Sequence, residues 1–186
     1  MPSFVGHTQR KESTMGHTRN SIIINAPYSL VFDISNKIER WTELFGKEYV
    51  KAEVLEQKGN EITFRLTDDE NKSWVSKRWL DKEHRYAVAS RHEPMFPFKF
   101  MKIVWFYIET SAQNAEQSGR DLAKNKVNGG PEGVEMIWIQ DFQMDPKFTK
   151  FTEEQIEGFI NEHSRHNMKI FKRVIEEEAA QVAVKK

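Results

Sequence analysis

Hydrophobic and polar positions change their rhythm three times along this chain, and each change predicts a different kind of element. Residues 20–25, Asn-Ser-Ile-Ile-Ile-Asn, make a short β-branched run closed by Pro27. Proline lacks the ladder donor and biases its predecessor toward extended geometry, so the first strand is expected at 20–25. After Pro27 the apolar residues Leu30, Val31, Ile34, Ile38, Trp41, Leu44 and Phe45 recur at three and four, the period of a helix with one buried face. The stretch 27–45 is therefore expected to be helical, broken near Ser35 and Asn36 into two short helices. From Tyr49 to Phe142 the period falls to two, with turn residues at KGN, DDENK, DKEH and EPMFP. That pattern predicts a meander of about six antiparallel strands.

Within the meander, residues 111–132 lack periodicity and carry the cluster VNGGPEG, which predicts a mobile hairpin loop. The last element opens with Thr152 and has Gln155 three residues later, a capping-box pair, and runs to about Ala180. Along it Ile156, Ile160, His163, Asn167, Phe171 and Val174 share one stripe, which must cover the sheet because such a stripe is rarely left in water. The expected fold is α+β: a curved antiparallel sheet of about seven strands around a long C-terminal helix, with two short helices after strand one. This helix-grip arrangement leaves a hollow between sheet and helix. Residues 20–186 are expected to form this one domain. Residues 1–19 read as a disordered leader, or as a misassigned start, since Met15 opens a second one.

Charge and composition narrow the function. Lysine plus arginine and aspartate plus glutamate are 28 each, so no global field draws the chain to nucleic acid or to an anionic membrane. There is no cysteine, which removes disulfides, thiolate metal sites and thiol nucleophiles and makes the cytoplasm the expected compartment. No apolar run has the length of a signal peptide or a membrane span, so no membrane partner is expected. Aromatics are 12% of the chain, with five Trp and thirteen Phe, although mean hydropathy is −0.70. So many rings in a polar chain make either an aromatic core or the walls of an organic-ligand pocket.

Candidate chemistry follows from strand alternation. In SWVSKRWL, Trp74, Ser76 and Arg78 share one face; alternation leaves open whether Arg78 meets a pocket ligand or solvent. Arg91 shares its face with Ala87 and Ala89, which leave room for a ligand or for close packing. Trp138 and Gln140 share a face of EMIWIQDF, and Gln140 can orient a carbonyl or join a strand-edge network. Asn167 stands in the apolar stripe of the last helix, so its amide must find partners in a structural network or in a ligand. Tyr49 follows the helical pair and can reach the hollow, while Trp41, Phe45 and Trp105 are core residues by default. His163 and His166 lack metal-site spacing and a third ligand, and no phosphate loop, nucleophile elbow or dinucleotide fingerprint occurs. The expectation is a pocket protein without metal or cofactor.

The stretches NSIIINAPYSLVFDISNKIERWTELF, EYVKAEVLEQKG, WVSKR, EMIWIQDFQM and RHNMKIFKRVIEEE resemble the monodomain aromatase/cyclases of bacterial type II polyketide synthases, which have a START-like helix-grip fold. The resemblance implies an enzyme that closes and dehydrates rings in a poly-β-ketone held on an acyl carrier protein, working beside a minimal polyketide synthase. It assigns chemical roles to Arg78 and Tyr49, and pocket roles to Trp41, Phe45, Trp74, Ser76, Arg91, Trp105, Trp138, Gln140 and Asn167. In the mechanism it suggests, Arg78 donates to the developing enolate or alkoxide oxygen and Tyr49 passes protons. Two departures from the family pattern are an extra residue between Phe45 and Tyr49 and a longer loop at 111–132. Lys99, Lys102, Lys147 and Lys150 are candidates to meet an acidic carrier protein. A non-catalytic carrier of a lipid, quinone or aromatic product is the alternative, because fold alone does not fix function.

Overall fold

Pro27 ends the first strand and opens the first helix, and everything that follows is laid out in chain order. The computed structural model describes residues 15–110 and 133–184. Strand β1 (Gly16–Ile24) leads to α1 (Tyr28–Asn36), a 3₁₀ turn (Ile38–Arg40), α2 (Trp41–Phe45) and a second 3₁₀ turn (Gly46–Glu48). Six strands follow: β2 (Lys51–Lys58), β3 (Glu61–Thr67), β4 (Ser73–Asp81), β5 (Tyr86–Glu93), β6 (Phe98–Thr110) and β7 (Gly133–Met144). The chain then enters α3 (Glu153–Val184), four residues longer at its end than expected. Gly46 stops α2 in the left-handed region, at φ 56°; a side chain would be strained there. That turn delivers Glu48 and Tyr49 to the sheet edge.

The strands form one antiparallel sheet in the order β1-β7-β6-β5-β4-β3-β2. The meander runs from β2 to β7, and β1 adds to the free edge of β7. The sheet curves around α3, the α+β helix-grip architecture. One correction concerns its first strand, which begins at Gly16 and not at residue 20. Gly16, Thr18 and Asn20 are buried in alternation with exposed His17, Arg19 and Ser21, and they pair with Phe142, Gln140 and Trp138 of β7. The inward residues of this strand end are small or polar, so hydrophobicity did not mark it. Residues 16–19 of the expected leader thus belong to the sheet; residues 1–14 and the expected loop 111–132 lie outside the described residues.

Cross-strand rows on the concave face place the chemistry. Ile62, Arg78, Ala89, Ile103, Gln140 and Thr18 follow one another from β3 to β1. Beside that row stand Leu80, Ala87, Trp105, Trp138 and Asn20, and on its other side Phe64, Ser76 and Arg91. Helix α3 closes this face with buried Ile156, Ser164, Asn167, Met168, Phe171 and Ile175. Its start is held as the sequence predicts: Thr152 N–H donates to Gln155 Oε1 at 2.9 Å, and Gln155 N–H donates to Thr152 Oγ1 at 3.2 Å. The convex face is left open, with Trp79 46% exposed. Among the described residues no helix is long and apolar enough to cross a membrane.

Candidate active site

The curved sheet and α3 enclose a hollow of about 410 Å³. Three groups of elements build its wall. The α2 segment contributes Trp41, Phe45 and Tyr49; the strands contribute Phe64, Trp74, Ser76, Arg91, Trp105, Trp138 and Gln140; and α3 contributes His163, Ser164, Asn167 and Phe171. Ring contacts between these elements hold the wall in shape. Trp41 stacks on Tyr49 with centroids 6.0 Å apart, Phe45 meets Phe171 edge-on at 5.0 Å, and Trp138 meets Trp105 at 5.5 Å and Phe171 at 6.0 Å. Each such pair adds about 0.5–1.5 kcal/mol to the area it buries, so the rings are fixed rather than free to collapse inward.

The polar groups in this wall fall into two kinds, those already satisfied by protein and those left for something else. Gln140 is of the first kind: its Nε2 donates to Ser164 Oγ at 2.6 Å and lies 3.4 Å from Thr18 Oγ1, tying β7 to α3 and β1. Arg91 Nε donates to the Pro94 carbonyl at 2.8 Å, and its guanidinium lies 5.0 Å from the Trp74 ring. Partial burial lowers its pKa, with Asp68 working the other way; it remains a cation at neutral pH. Trp138 Nε1 and Asn167 Oδ1 are of the second kind, buried and without a partner among the described residues. One is a donor on β7 and the other an acceptor on α3, and both residues line the hollow.

Asn167 also anchors a cluster at the wall. Its Nδ2 donates to Glu48 Oε1 at 3.0 Å, and the same oxygen lies 3.0 Å from His163 Nε2. Burial works against the Glu48 carboxylate, yet the hydrogen bonds and charge supplied by His163, Tyr49 and Asn167 win and hold its pKa below the usual range. Beside it the Tyr49 phenol is pushed well above its ordinary value, by burial first and by Glu48 second. Tyr49 is consequently a neutral hydroxyl at any working pH.

Arg78 is 1% exposed and points inward, but it does not line the hollow. Its guanidinium lies under the indoles, 3.8 Å from the Trp105 centroid and 5.4 Å from that of Trp41. Burial lowers its pKa to about 10 against the influence of Tyr107, and its Nε and Nη1 have no partner among the described residues. The Tyr107 phenol, itself raised chiefly by burial, is 3.0 Å from both Ser35 Oγ and Asn36 Nδ2. It stays neutral, so no counter-ion faces Arg78 there. Arg78 thus stands on the concave side with its guanidinium packed against Trp41 and Trp105, two residues that line the hollow.

The other ten of the eleven residues singled out from the sequence line the hollow together. Sequence reasoning missed Glu48, Ser164 and Tyr107. Alternation from Trp105 would have found Tyr107, since the two share a face of β6, and the helical period would have found Ser164, four residues after Ile160 and three before Asn167; Glu48 sits on a turn that no period marks. Among the described residues, no group of three or more His, Asp or Glu side chains is placed to hold a metal.

A helix-grip domain with a rigid aromatic hollow and a few fixed polar groups defines a small-molecule pocket protein of this architecture. Comparisons with known proteins narrow the class. No family model matches the chain. It is 40% identical over 167 residues to a Streptomyces cyaneus protein named "Putative polyketide cyclase", covering 87% of this chain and 95% of the relative. A Streptomyces halstedii protein of the same name is 42% identical over 129 residues, 67% of this chain and 98% of that one. Among solved structures, the Zhui aromatase/cyclase of a Streptomyces strain superposes with a TM-score of 0.64 at 18% identity, over 90% of this chain and 95% of that one. At such identity the superposition bears on the fold alone. The sequence relatives carry the assignment: the chain belongs to the polyketide cyclase family.

Proposed function

We propose that this cyclase performs a regiospecific intramolecular aldol closure, followed by dehydration to an aromatic ring, on a poly-β-ketone carried by an acyl carrier protein. The observation that carries the reading is the hollow itself. Its volume of about 410 Å³ falls within the range of pockets that bury an organic ligand, roughly 300–1,000 Å³. Two residues of its wall, Trp138 and Asn167, also hold a buried polar atom, Nε1 and Oδ1, that has no partner among the described residues. A poly-β-ketone alternates carbonyl acceptors with methylenes and supplies hydroxyl donors when it enolises, so its polar groups suit a mostly aromatic wall with a few fixed polar side chains.

Methylenes between two carbonyls are already acidic, and the task of the protein is chiefly positioning. Rigid rings fold the chain so that chosen carbons meet, and the aromatic wall keeps those carbons from the wrong closures that a free chain makes. Arg91, cationic and on the wall, binds an enolate or alkoxide oxygen directly. Arg78 acts from one layer behind the indoles, its uncompensated charge favouring an anion in the hollow. Tyr49, a neutral phenol whose single O–H goes to Glu48, turns it to a substrate oxygen when it donates there. No metal or organic cofactor enters this scheme.

Lys99, Lys102, Lys147 and Lys150 are all exposed. They lie on neighbouring segments: Asp145 N–H donates to the Pro97 carbonyl at 2.9 Å, and Phe96 meets Phe148 at 5.8 Å. We assign this end to an acidic carrier protein, with a minimal polyketide synthase supplying the chain. The test is reconstitution with such a synthase and identification of the products. Directed closure to one aromatic skeleton supports the reading. The same mixture of spontaneously cyclised products with and without the protein would leave only a carrier.

A further inference from the structure

A titratable pair at the wall remains outside the roles assigned above. His163 projects from α3, lines the hollow, and yet has a side chain 50% exposed. One imidazole therefore faces both the ligand space and bulk water. Glu48, on the turn after α2, holds it through Oε1 at 3.0 Å from Nε2, and its own side chain is only 22% exposed. Asn167 Nδ2 donates to the same oxygen. Asn167 Nδ2 lies 3.2 Å from the same Nε2, but the nearer Glu48 oxygen can only accept, so Nε2 carries the proton toward Glu48 and Nδ1 is left as the acceptor nitrogen of the neutral ring. Flipping the Asn167 amide would set two acceptor oxygens against each other, which fixes its orientation as well.

Building on the cyclase reading, we propose that His163 is the proton-transfer residue of ring closure and dehydration, and that Glu48 and Asn167 are positioning residues that fix its tautomer and ring orientation. The substrate class is a 1,3-dicarbonyl methylene. In closure, the methylene C–H proton passes to Nδ1, its electron pair forms the new C–C bond to a carbonyl carbon, and the carbonyl π pair moves to oxygen. That oxygen recovers the proton from the imidazolium. In dehydration a second α-proton passes to the same nitrogen, the C–O bond breaks, and hydroxide leaves with the imidazolium proton as water. Atoms and charge balance with no oxidant.

The geometry also explains why this role falls to His163 and not to its neighbours. The other titratable groups on the wall are Tyr49 and Arg91. Tyr49 is desolvated beside an anion and gives up its proton too reluctantly to act as a base near neutral pH. Arg91 stays charged. An imidazole both takes up and gives back a proton, as the closure and dehydration steps require.

The test uses the full chain with a reconstituted synthase and carrier protein, together with an aromatic 1,3-diketone as a binding probe. His163→Ala is expected to slow directed closure about 10²-fold while probe affinity stays within about twofold, and added imidazole should restore part of the rate. His163→Gln, which keeps a donor toward Glu48 but cannot carry the proton, should match the loss without rescue. Glu48→Gln should lower kcat with KM little changed. Wild-type rates in both His163 variants would overturn the proposal, as would a loss that imidazole leaves untouched in His163→Ala. A wild-type protein that directs no closure would instead sink the cyclase reading on which this one rests.

Discussion

Replacing Arg78 by methionine separates a structural from a functional reason for burying a charge. The guanidinium is 1% exposed, two of its nitrogens lack partners, and Tyr107 beside it is neutral. Displacement of its pKa from 12.5 to about 10, caused first by desolvation, amounts to about 3 kcal/mol against the cation. The linkage sign agrees: the unfolded chain holds this proton more tightly, so the penalty is fully present at neutral pH and is relieved only above pH 10. The opposing gain is cation–π attraction, about 2 kcal/mol for Trp105 at close range and about 0.5–1 for the more distant Trp41. The two nearly cancel.

Methionine fills much of the same space, makes favourable sulfur–aromatic contacts and carries no charge. Arg78→Met should therefore be as stable as the wild type within about 1 kcal/mol, or a melting shift of about 2–4 °C for a chain of this size. Tyr107 keeps Ser35 and Asn36 as partners. Thermal and urea unfolding measure the stability, and product analysis with a reconstituted synthase measures the function. The expectation is a folded protein whose products shift toward spontaneous cyclisation. A loss of more than about 2 kcal/mol would refute the ledger and make the guanidinium a structural element. Unchanged products in a folded variant would remove Arg78 from the chemistry.

Two further substitutions test neighbouring parts of the account. A Cβ at Gly16 would lie 2.2 Å from a ring carbon of Phe142, so Gly16→Val should cost about 1–3 kcal/mol by overpacking in urea unfolding; full stability would mean that this strand end is not packed. The depressed pKa of Glu48 contributes stability above its unfolded value near 4.5, and that stability is lost as pH falls through the lower folded value. Unfolding curves of wild type and Glu48→Gln should accordingly differ at neutral pH and converge in acid, whereas a gap that persists at low pH would count against the ionised carboxylate.

The architecture was legible wherever one face of an element was apolar. Period two from Tyr49 onward marked six strands, Pro27 marked the strand-to-helix junction, and Thr152 with Gln155 marked the start of α3, each because a local rule and the global fold agree. The start of β1 was not legible, since Gly16, Thr18 and Asn20 alternate correctly but are not hydrophobic. Alternation also gives face and not depth. It put Arg78 on one face with Trp74 and Ser76, and left open whether that face turns inward and how deeply the guanidinium is buried. The Glu48–His163–Asn167 cluster joins residues more than a hundred positions apart, and nothing local in either segment announces the other.

The central claim is that chemistry occurs on the concave face, between sheet and α3, and its most direct test compares product distributions from two variants in the reconstituted synthase. Ile160→Trp adds bulk to a half-buried position on the wall of the hollow, whereas Trp79→Ser changes an exposed ring on the opposite face of the sheet. The account predicts a changed pattern of ring closure from Ile160→Trp and wild-type products from Trp79→Ser. Unaltered products from the first, or altered products from the second with the fold intact, would contradict it.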